Sequence, residues 1–429
     1  MTGSVIDLGE LRHGPALEPP RAPRPPRANG RPLRCALVLL LVLATLVSAA
    51  PPPAGRAVVT VPAQEGADVL IDDDLALVIN PVTVQTPQWR LAAFRVSDGD
   101  PLWDAPLPGQ PRYWGLRPRS GMLLATGYEI GADGRDTITV ALDRATGAYR
   151  WQQPGSSVEL ADGNLLLQSG GEDQPLSLRA VDPCCGTVRW QLTTPTAGVT
   201  AQSAAERVDR VVLSDVKGPV EVRDARTGAV LVRADLRPPD GAPLGYVQVA
   251  GDLLLTVGGQ PNAITAYGLD RLDRRWSTPV DEIDLVQDCG PVVCLRTRSA
   301  GLWAVDTATG EVRWRSDRWT WAWLYDGQLL AIPASSEGLG RYFVVDVRTG
   351  RERVDLGRWE LFQIDTNGRL LGVRPRPGGG MLVGELDVRA GRTRIVDVLP
   401  EATGHCQPIS DHLVCGQPDG SYRSWQLHD

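Results

Sequence analysis

Cysteine is the residue type in this chain whose spacing most directly indicates chemistry. The sequence has seven cysteines, and six of them lie beyond an apolar segment near the N-terminus. Cys289 and Cys294 flank a short Gly-Pro turn, and Cys406 and Cys415 flank a second hairpin. Because the facing strands of a hairpin hold their side chains close together, each pair can form a disulfide with little rearrangement. The spacing therefore predicts disulfides 289–294 and 406–415.

The remaining two cysteines, Cys184 and Cys185, are adjacent in sequence. They form a third candidate disulfide or a redox-labile turn. Histidine offers an alternative for the last hairpin pair, since His405 and His412 could complete a tetrahedral zinc set with its two sulfurs. A disulfide is the simpler prediction for that pair, so we expect no metal site.

Catalytic motifs are not recognisable in the sequence. It has neither a Gly-x-Ser-x-Gly elbow nor the glycine pattern of a phosphate-binding loop. The run Asp72–Asp74 could attract a cation, but three carboxylates in a hairpin turn are expected to be solvated. We therefore predict no catalytic residues.

Four aromatic residues alternate along one short stretch: Trp319, Trp321, Trp323 and Tyr325. On a β-strand this alternation places all four side chains on one face. We interpret them chiefly as packing between neighbouring structural units, because large aromatic side chains commonly fill cores. A platform that stacks on a sugar or another ring-bearing ligand is the alternative.

A repeated strand–turn–strand phrase must position these residues. It is clearest at residues 304–314, where Asp306, Thr309, Gly310 and Trp314 form the skeleton Asp-x-x-Thr-Gly-x-x-x-Trp. The Asp and Thr side chains can hydrogen-bond the turn backbone, and the glycine can take the positive φ that the turn needs. The glycine position of the phrase recurs at Gly99, Gly147, Gly186, Gly228, Leu272, Gly310, Gly350 and Gly391.

The repeat has a period of about 42 residues and is built from short strands, which is typical of four-stranded propeller blades. Eight copies predict an all-β, eight-bladed propeller, with seven blades as the alternative. The chain ends partway through a further repeat, so we expect both termini to share one blade and close the ring.

The phrase resembles that of the quinoprotein-like, or PQQ-like, β-propellers, and the resemblance covers residues 65–429. This superfamily contains quinone-dependent alcohol dehydrogenases and non-enzymatic relatives such as the outer-membrane assembly lipoprotein of Gram-negative bacteria. A dehydrogenase would bind pyrroloquinoline quinone (PQQ) with calcium, but we identify no calcium ligands and no basic aspartate for that site. We therefore expect no cofactor.

The resemblance also bears on the adjacent cysteines. In quinone-dependent alcohol dehydrogenases a vicinal cysteine pair forms a strained ring against the cofactor. Cys184 and Cys185 instead fall in the turn between the third and fourth strands of a repeat. Such turns emerge opposite the loops that usually form the binding funnel of a propeller, so we expect no cofactor role for this pair.

The N-terminal region predicts a membrane attachment. Residues 1–34 are rich in Pro and Arg and predict a disordered tail, and residues 35–50 form an uncharged apolar run. Because six arginines precede this run, the positive-inside rule places the tail in the cytoplasm. We predict a single-pass signal anchor at 35–50, with cleavage after residue 49 as the alternative, and a Pro-rich stalk at 51–64.

These observations together favour a bacterial, plasma-membrane-anchored propeller on the extracytoplasmic side. The formal net charge is −7, and no Lys/Arg stripe is present, so nucleic acid is an unlikely partner. The expected function is a non-catalytic scaffold that binds a protein or an envelope component. A PQQ-dependent dehydrogenase and a propeller that binds a carbohydrate or small ligand are the alternatives.

Overall fold

The computed structural model describes residues 58–427, except for residues 65, 110–111, 120, 132–133, 171–174, 195–197, 205–206, 281–282, 299–300, 334–338, 363–367 and 410–411. The regular elements of this part of the chain are β-strands. The first nine are β1 (Val58–Val61), β2 (Asp68–Asp72), β3 (Leu75–Asn80), β4 (Arg90–Arg95), β5 (Pro101–Pro106), β6 (Arg112–Arg119), β7 (Met122–Gly131), β8 (Gly134–Asp143) and β9 (Tyr149–Pro154).

The middle strands are β10 (Ser156–Glu159), β11 (Leu165–Ser169), β12 (Leu176–Val181), β13 (Val188–Thr194), β14 (Gly198–Ala204), β15 (Arg207–Ser214), β16 (Pro219–Asp224), β17 (Val230–Asp235), β18 (Leu244–Ala250), β19 (Leu253–Gly258), β20 (Ala263–Gly268) and β21 (Arg274–Pro279). They are followed by β22 (Ile283–Asp288), β23 (Val292–Thr297), β24 (Leu302–Asp306), β25 (Val312–Ser316), β26 (Trp319–Tyr325), β27 (Gln328–Pro333) and β28 (Gly340–Val345). The last strands are β29 (Glu352–Leu361), β30 (Leu371–Pro375), β31 (Met381–Asp387), β32 (Arg392–Leu399), β33 (Gly404–Ile409), β34 (His412–Gly416) and β35 (Tyr422–Gln426).

Within the described residues the strands form seven four-stranded antiparallel sheets and one seven-stranded sheet. Six of the four-stranded sheets consist of four consecutive strands, from β2–β5 to β22–β25. The second strand of a sheet is strongly apolar, and five residues of β3 are buried in succession. The fourth strand is more exposed, as in β5. This gradient is consistent with blades whose inner strands line an axis and whose outer strands face solvent.

The two ends of the described chain meet in one sheet. Strand β1 pairs antiparallel with β35, Val58 opposite Trp425 and Val61 opposite Tyr422, and the sheet order is β1-β35-β34-β33. The expectation that one sheet is shared between both termini is confirmed. Residues 58–61 therefore form part of the propeller, although they lie in the segment predicted as a stalk; as strand β1 they complete the edge of the shared sheet.

The repeated turn has the predicted hydrogen bonds. Oδ1 of Asp306 accepts hydrogen bonds from the Thr309 amide at 2.9 Å and the Thr309 hydroxyl at 3.2 Å. The Gly310 amide donates to the Asp306 carbonyl at 2.9 Å, and Gly310 has a φ of +76°. The aspartate and threonine are therefore turn-forming residues, as the sequence indicates.

Each tryptophan of the phrase docks on the turn of the next repeat. Trp314 donates its indole N–H to the Val347 carbonyl at 2.9 Å, and its ring lies over Gly350 so closely that an added Cβ would come within 2.5 Å. Four further tryptophans make the equivalent bond to the following turn: Trp103, Trp151, Trp190 and Trp276. The prediction that these tryptophans pack between repeats is confirmed.

The core is divided among clusters that each join two neighbouring sheets. One cluster combines Leu77 of β3 with Leu123 of β7 and Val140 of β8. The closing sheet takes part in two clusters, one with the strands before it, where Leu413 meets Leu371, and one with the beginning of the chain, where Val414 meets Val78. Burial of these apolar side chains stabilises the packing of each sheet against its two neighbours.

The seven-stranded sheet arises because β29 is long enough to pair with two strands, β28 and β30. Its first part pairs with β28, and its last residues, Glu360 and Leu361, pair with Val373 and Gly372 of β30. No turn separates these two parts of the strand, so β29 connects two sets of strands directly.

Candidate functional site

The two predicted hairpin cysteine pairs lie at disulfide distance. Cys289 and Cys294 have Cα atoms 5.8 Å apart, and Cys406 and Cys415 have Cα atoms 4.0 Å apart. All four side chains are buried. Cys406 and Cys415 face each other, so the structure does not bring them together with His405 and His412 as a zinc set.

Among the residues that the structure describes, three ligating side chains cluster in one place, at Asp182, Cys184 and Cys185. The Cys184 thiol donates to the Cys185 sulfur at 2.6 Å, and both side chains are exposed. This hydrogen bond raises the pKa of Cys184 to about 12 and lowers the pKa of Cys185. Cys185 is therefore the more acidic of the two thiols. The structure holds this predicted pair as free thiols in the third repeat's turn.

The acidic run at residues 72–74 already has a cationic partner. Arg144, from the turn of the following repeat, donates from Nε to the Asp72 carboxylate at 2.5 Å and from Nη2 to the Asp72 carbonyl at 3.0 Å. The carboxylates of Asp73 and Asp74 lie 3.4 and 3.7 Å from the same guanidinium. The run therefore forms an ion-pair network between neighbouring sheets.

The prediction that four aromatic side chains share one face is wrong for Trp319, whereas Trp321, Trp323 and Tyr325 keep the alternation. A β-bulge between Trp319 and Trp321 reverses the alternation, because these two residues pair with the consecutive residues 333 and 332. Trp319 is buried, with its ring centroid 5.2 Å from that of Phe343. Trp321 is 36% exposed and lies under the Arg296 guanidinium, 5.5 Å away.

The other two members of the aromatic stripe serve packing. Trp323 makes an edge-to-face contact with Tyr342 at a centroid distance of 5.8 Å. Tyr325 donates its hydroxyl to the Gly368 carbonyl at 3.1 Å. Both belong to a cluster between the strands around β27 and those around β31. The four residues therefore do not form a continuous platform.

A cavity of about 650 Å³ is lined by residues of four successive sheets, most of them from the first strands β2, β6 and β10. Its lining combines aliphatic, arginine and acidic side chains: Leu70, Leu116, Arg117, Pro118, Arg119, Leu124, Ser157, Val158, Glu159, Leu165 and Val208. Arg119 ends β6, and Glu159 ends β10, so both precede the turn to the second strand. The cavity therefore opens toward these turns, on the face opposite the loops expected to form the funnel.

Positive charge predominates around this cavity. Glu159 forms ion pairs with Arg119 and with Arg207, whose Nε lies 3.2 Å from the carboxylate. Burial lowers the pKa of Arg119, and the nearby positive charge of Arg207 lowers it further. Arg117 adds a third, exposed guanidinium. Two cations, Arg119 and Arg207, thus pair with the one carboxylate, and Arg117 lines the same cavity together with leucine and valine side chains.

Comparison with protein families identifies the repeat. Residues 90–316, more than half of the chain, match the PQQ_2 family model, described as outer membrane protein assembly factor BamB. The chain belongs to the PQQ_2 family. It is a PQQ-like β-propeller repeat protein, as the turn phrase indicates.

The solved structures that match this PQQ_2 propeller have low sequence identity to it. They include BamB from Moraxella catarrhalis (12% identity, 86% of this chain and 97% of that chain, TM-score 0.43) and the computationally designed Ika8 protein (14%, 87% and 100%, 0.43). The C-terminal WD40 domain of Sif2 is another (9%, 86% and 99%, 0.45). No curated protein sequence matches the chain.

The membrane attachment expected for this PQQ_2 protein lies outside the described residues, because the tail at 1–34 and the apolar run at 35–50 precede residue 58. In the part of the chain that the structure describes, no helix has the length and apolar character needed to cross a membrane.

The repeat phrase of this PQQ_2 protein contains an arginine that was not among the predicted turn residues. The residue seven positions after the turn aspartate pairs with that carboxylate in four repeats: Arg150 with Asp143, Arg189 with Asp182, Arg313 with Asp306 and Arg353 with Asp346. The signal was present, because an arginine directly precedes the tryptophan in several copies. The cavity residues gave no such signal, since their partners lie in different repeats.

Proposed function

We propose that this protein is a non-catalytic, extracytoplasmic propeller scaffold that binds an acidic segment of a protein or envelope partner. The N-terminal segment at residues 35–50 would hold it to the plasma membrane. The family description, which names an outer membrane protein assembly factor, supports a role in binding proteins of the envelope. The two buried cysteine pairs at disulfide distance support an oxidising compartment.

The arginine-lined cavity carries this proposal. Guanidinium groups stay protonated at all physiological pH values, so they bind anions and do not exchange protons in catalysis. Glu159, the one carboxylate of the cavity lining, already forms ion pairs with Arg119 and Arg207. A cavity of this size, with an apolar floor and an excess of arginine, suits a carboxylate-bearing segment with an aliphatic side chain.

Site-specific photocross-linking in cells tests the proposal. A photoreactive amino acid replaces Val158, which lines the cavity and is 41% exposed, or Val230, which is 44% exposed on another sheet. We expect a discrete adduct from position 158 and none from position 230. Arg117→Glu should abolish the adduct, whereas Arg348→Glu, the same charge change in an exposed turn, should preserve it. Equal adducts from both positions, or none from position 158, would contradict a partner in this cavity.

The competing dehydrogenase function has a direct test. The full chain, purified in mild detergent, is titrated with PQQ and calcium while its tryptophan emission is followed. The proposed scaffold predicts no saturable quenching. Saturable one-to-one binding at micromolar concentration or below would overturn the non-catalytic assignment and justify a substrate screen.

We also infer that the propeller has nine four-stranded blades, one more than the eight counted from turn phrases. The support is that β29 contributes to two sets of strands, and that the shared sheet adds a unit whose outer strand is β1. Two-dimensional class averages of the purified chain in electron microscopy would count the blades; eight or seven would refute the inference.

A further inference from the structure

The third repeat differs from the others at the turn that contains Cys184 and Cys185. In four other repeats a threonine hydroxyl donates to the aspartate Oδ1 of the turn, at Thr146, Thr227, Thr309 and Thr349. In the third repeat Cys185 replaces this threonine, and Cys184 stands just before it. A turn that elsewhere carries one hydroxyl here carries two thiols beside a carboxylate.

The ligand atoms of this turn are spaced for one metal ion. The two sulfurs and an Asp182 carboxylate oxygen all lie within 4.8 Å of one another. A tetrahedral ion with metal–ligand distances of about 2.0–2.3 Å needs ligand atoms roughly 3.5 Å apart. The sulfurs, now 2.6 Å apart, reach that spacing by rotating exposed side chains.

The backbone under the two thiols is fixed by packing. Trp151 of the preceding repeat donates its indole N–H to the Pro183 carbonyl at 2.7 Å. Its ring also covers Gly186, where an added Cβ would lie 2.8 Å from it. Arg189 holds the Asp182 Oδ2 at 2.5 Å, and the Cys184 amide donates to Oδ1 at 3.0 Å. No threonine hydroxyl bonds this carboxylate; the Cys184 side chain hydrogen-bonds it instead, which places a sulfur beside the Asp182 oxygen atoms.

We propose that Asp182, Cys184 and Cys185 form a surface site for a thiophilic divalent metal ion of the zinc class, with water as the fourth ligand. Thiolate and carboxylate ligands in a tetrahedral arrangement suit such an ion. The open position and the exposed sulfurs make the site accessible from solvent. It is occupied when both thiols are reduced, and its three residues do not line the arginine-lined cavity.

Cobalt(II) is the probe for the test, because thiolate-bound Co²⁺ has charge-transfer absorption and strong visible bands when it is tetrahedral. The full chain in mild detergent is treated with a reductant, its accessible thiols are counted, and Co²⁺ is added. We expect thiolate bands that saturate at one equivalent and are displaced by Zn²⁺. Absence of these bands from protein with both thiols reduced, or a pair that resists reduction, would overturn the proposal.

The double variant Cys184→Ala/Cys185→Thr is the matched control. It recreates the Asp-x-Ala-Thr-Gly turn that the chain already has at 143–147 and 306–310. Circular dichroism and the urea midpoint should therefore match those of the wild type, while Co²⁺ affinity falls at least tenfold and the thiolate bands disappear. Bands that persist in this variant would assign the metal to another cysteine, such as Cys35, and refute the site.

Discussion

Val232 and Leu272 lie in one apolar cluster and hold the positions at which other repeats set a tryptophan against a glycine. Val232 holds the tryptophan slot of its repeat, opposite Val222 just before the bulge. Leu272 holds the glycine slot of the next, with a φ of +56° and its amide bonded to the Gly268 carbonyl at 2.8 Å. The valine in the tryptophan position and the leucine in the glycine position therefore compensate each other. Because no indole covers this turn, space is left for the leucine side chain.

This compensation predicts a coupled pair of substitutions. Val232→Trp alone should lower the free energy of unfolding by about 2 kcal/mol, because the indole would overlap Leu272. Adding Leu272→Gly should recover at least half of that loss, since it restores the pairing used by the other repeats. Urea denaturation of both single variants and the double variant measures the coupling. Additive losses would show that the two positions do not compensate each other.

The contact between Trp314 and the next turn makes Gly350 sensitive to the addition of a single methyl group. Gly350→Ala should cost about 2–4 kcal/mol, from the strained φ of +66° and from the Cβ that would meet the Trp314 ring. Gly327→Ala is the control: its φ is +74°, but nothing lies within 4 Å of the added Cβ, so it should cost about 1 kcal/mol. Equal losses in urea denaturation would mean that the tryptophan contact contributes little.

The fold was largely predictable because its signals are local. The turn residues and the apolar strands are each determined within a few residues, and they recur with a regular period. These features predict the all-β repeat and the docking of Trp314 on the next turn. The ends at β1 and β35 were also predictable from an incomplete final repeat. Two features were not predicted because no residue in the sequence marks them. One is the β-bulge after Trp319, and the other is the uninterrupted strand β29, which pairs with two sets of strands without a turn between them.

The candidate site was less predictable for a physical reason. Arg119 and Glu159 are brought together by neighbouring sheets, and each looks like an ordinary charged strand end in the sequence. The turn thiols are evident in the sequence as Cys184 and Cys185, but the sequence indicates their neighbour Asp182 only as a turn-forming residue. Cysteines that pair within one hairpin can be identified from their spacing in the sequence. Residues that meet from different repeats can be identified only from the three-dimensional structure.

The bulge in β26 predicts unequal roles for two tryptophans. Trp319→Ala should lower the free energy of unfolding by about 3–5 kcal/mol, because this buried ring packs against Phe343. Trp321→Ala should cost about 1 kcal/mol or less, since the side chain is exposed and its main contact is the Arg296 guanidinium. Thermal and urea unfolding of both variants distinguishes these roles, and similar losses would indicate that Trp321 is also a core residue.

The turn aspartates predict a loss of stability in acid. Hydrogen bonds from Arg150 and Thr146 lower the pKa of Asp143 from 3.8 to about 2. Because the pKa is lower in the folded state, this group stabilises the fold above its unfolded pKa, and the contribution is lost as the pH falls from about 4 through about 2. Asp143→Asn should therefore be less stable than the wild type at neutral pH, and the difference in urea midpoints should shrink below pH 4. Arg150→Gln removes the largest cause of the shift, so NMR titration should find the pKa of Asp143 raised toward 3.8 in that variant. A difference in midpoints that stays constant down to pH 2, or an Asp143 pKa unaffected by Arg150→Gln, would contradict this account of the turn.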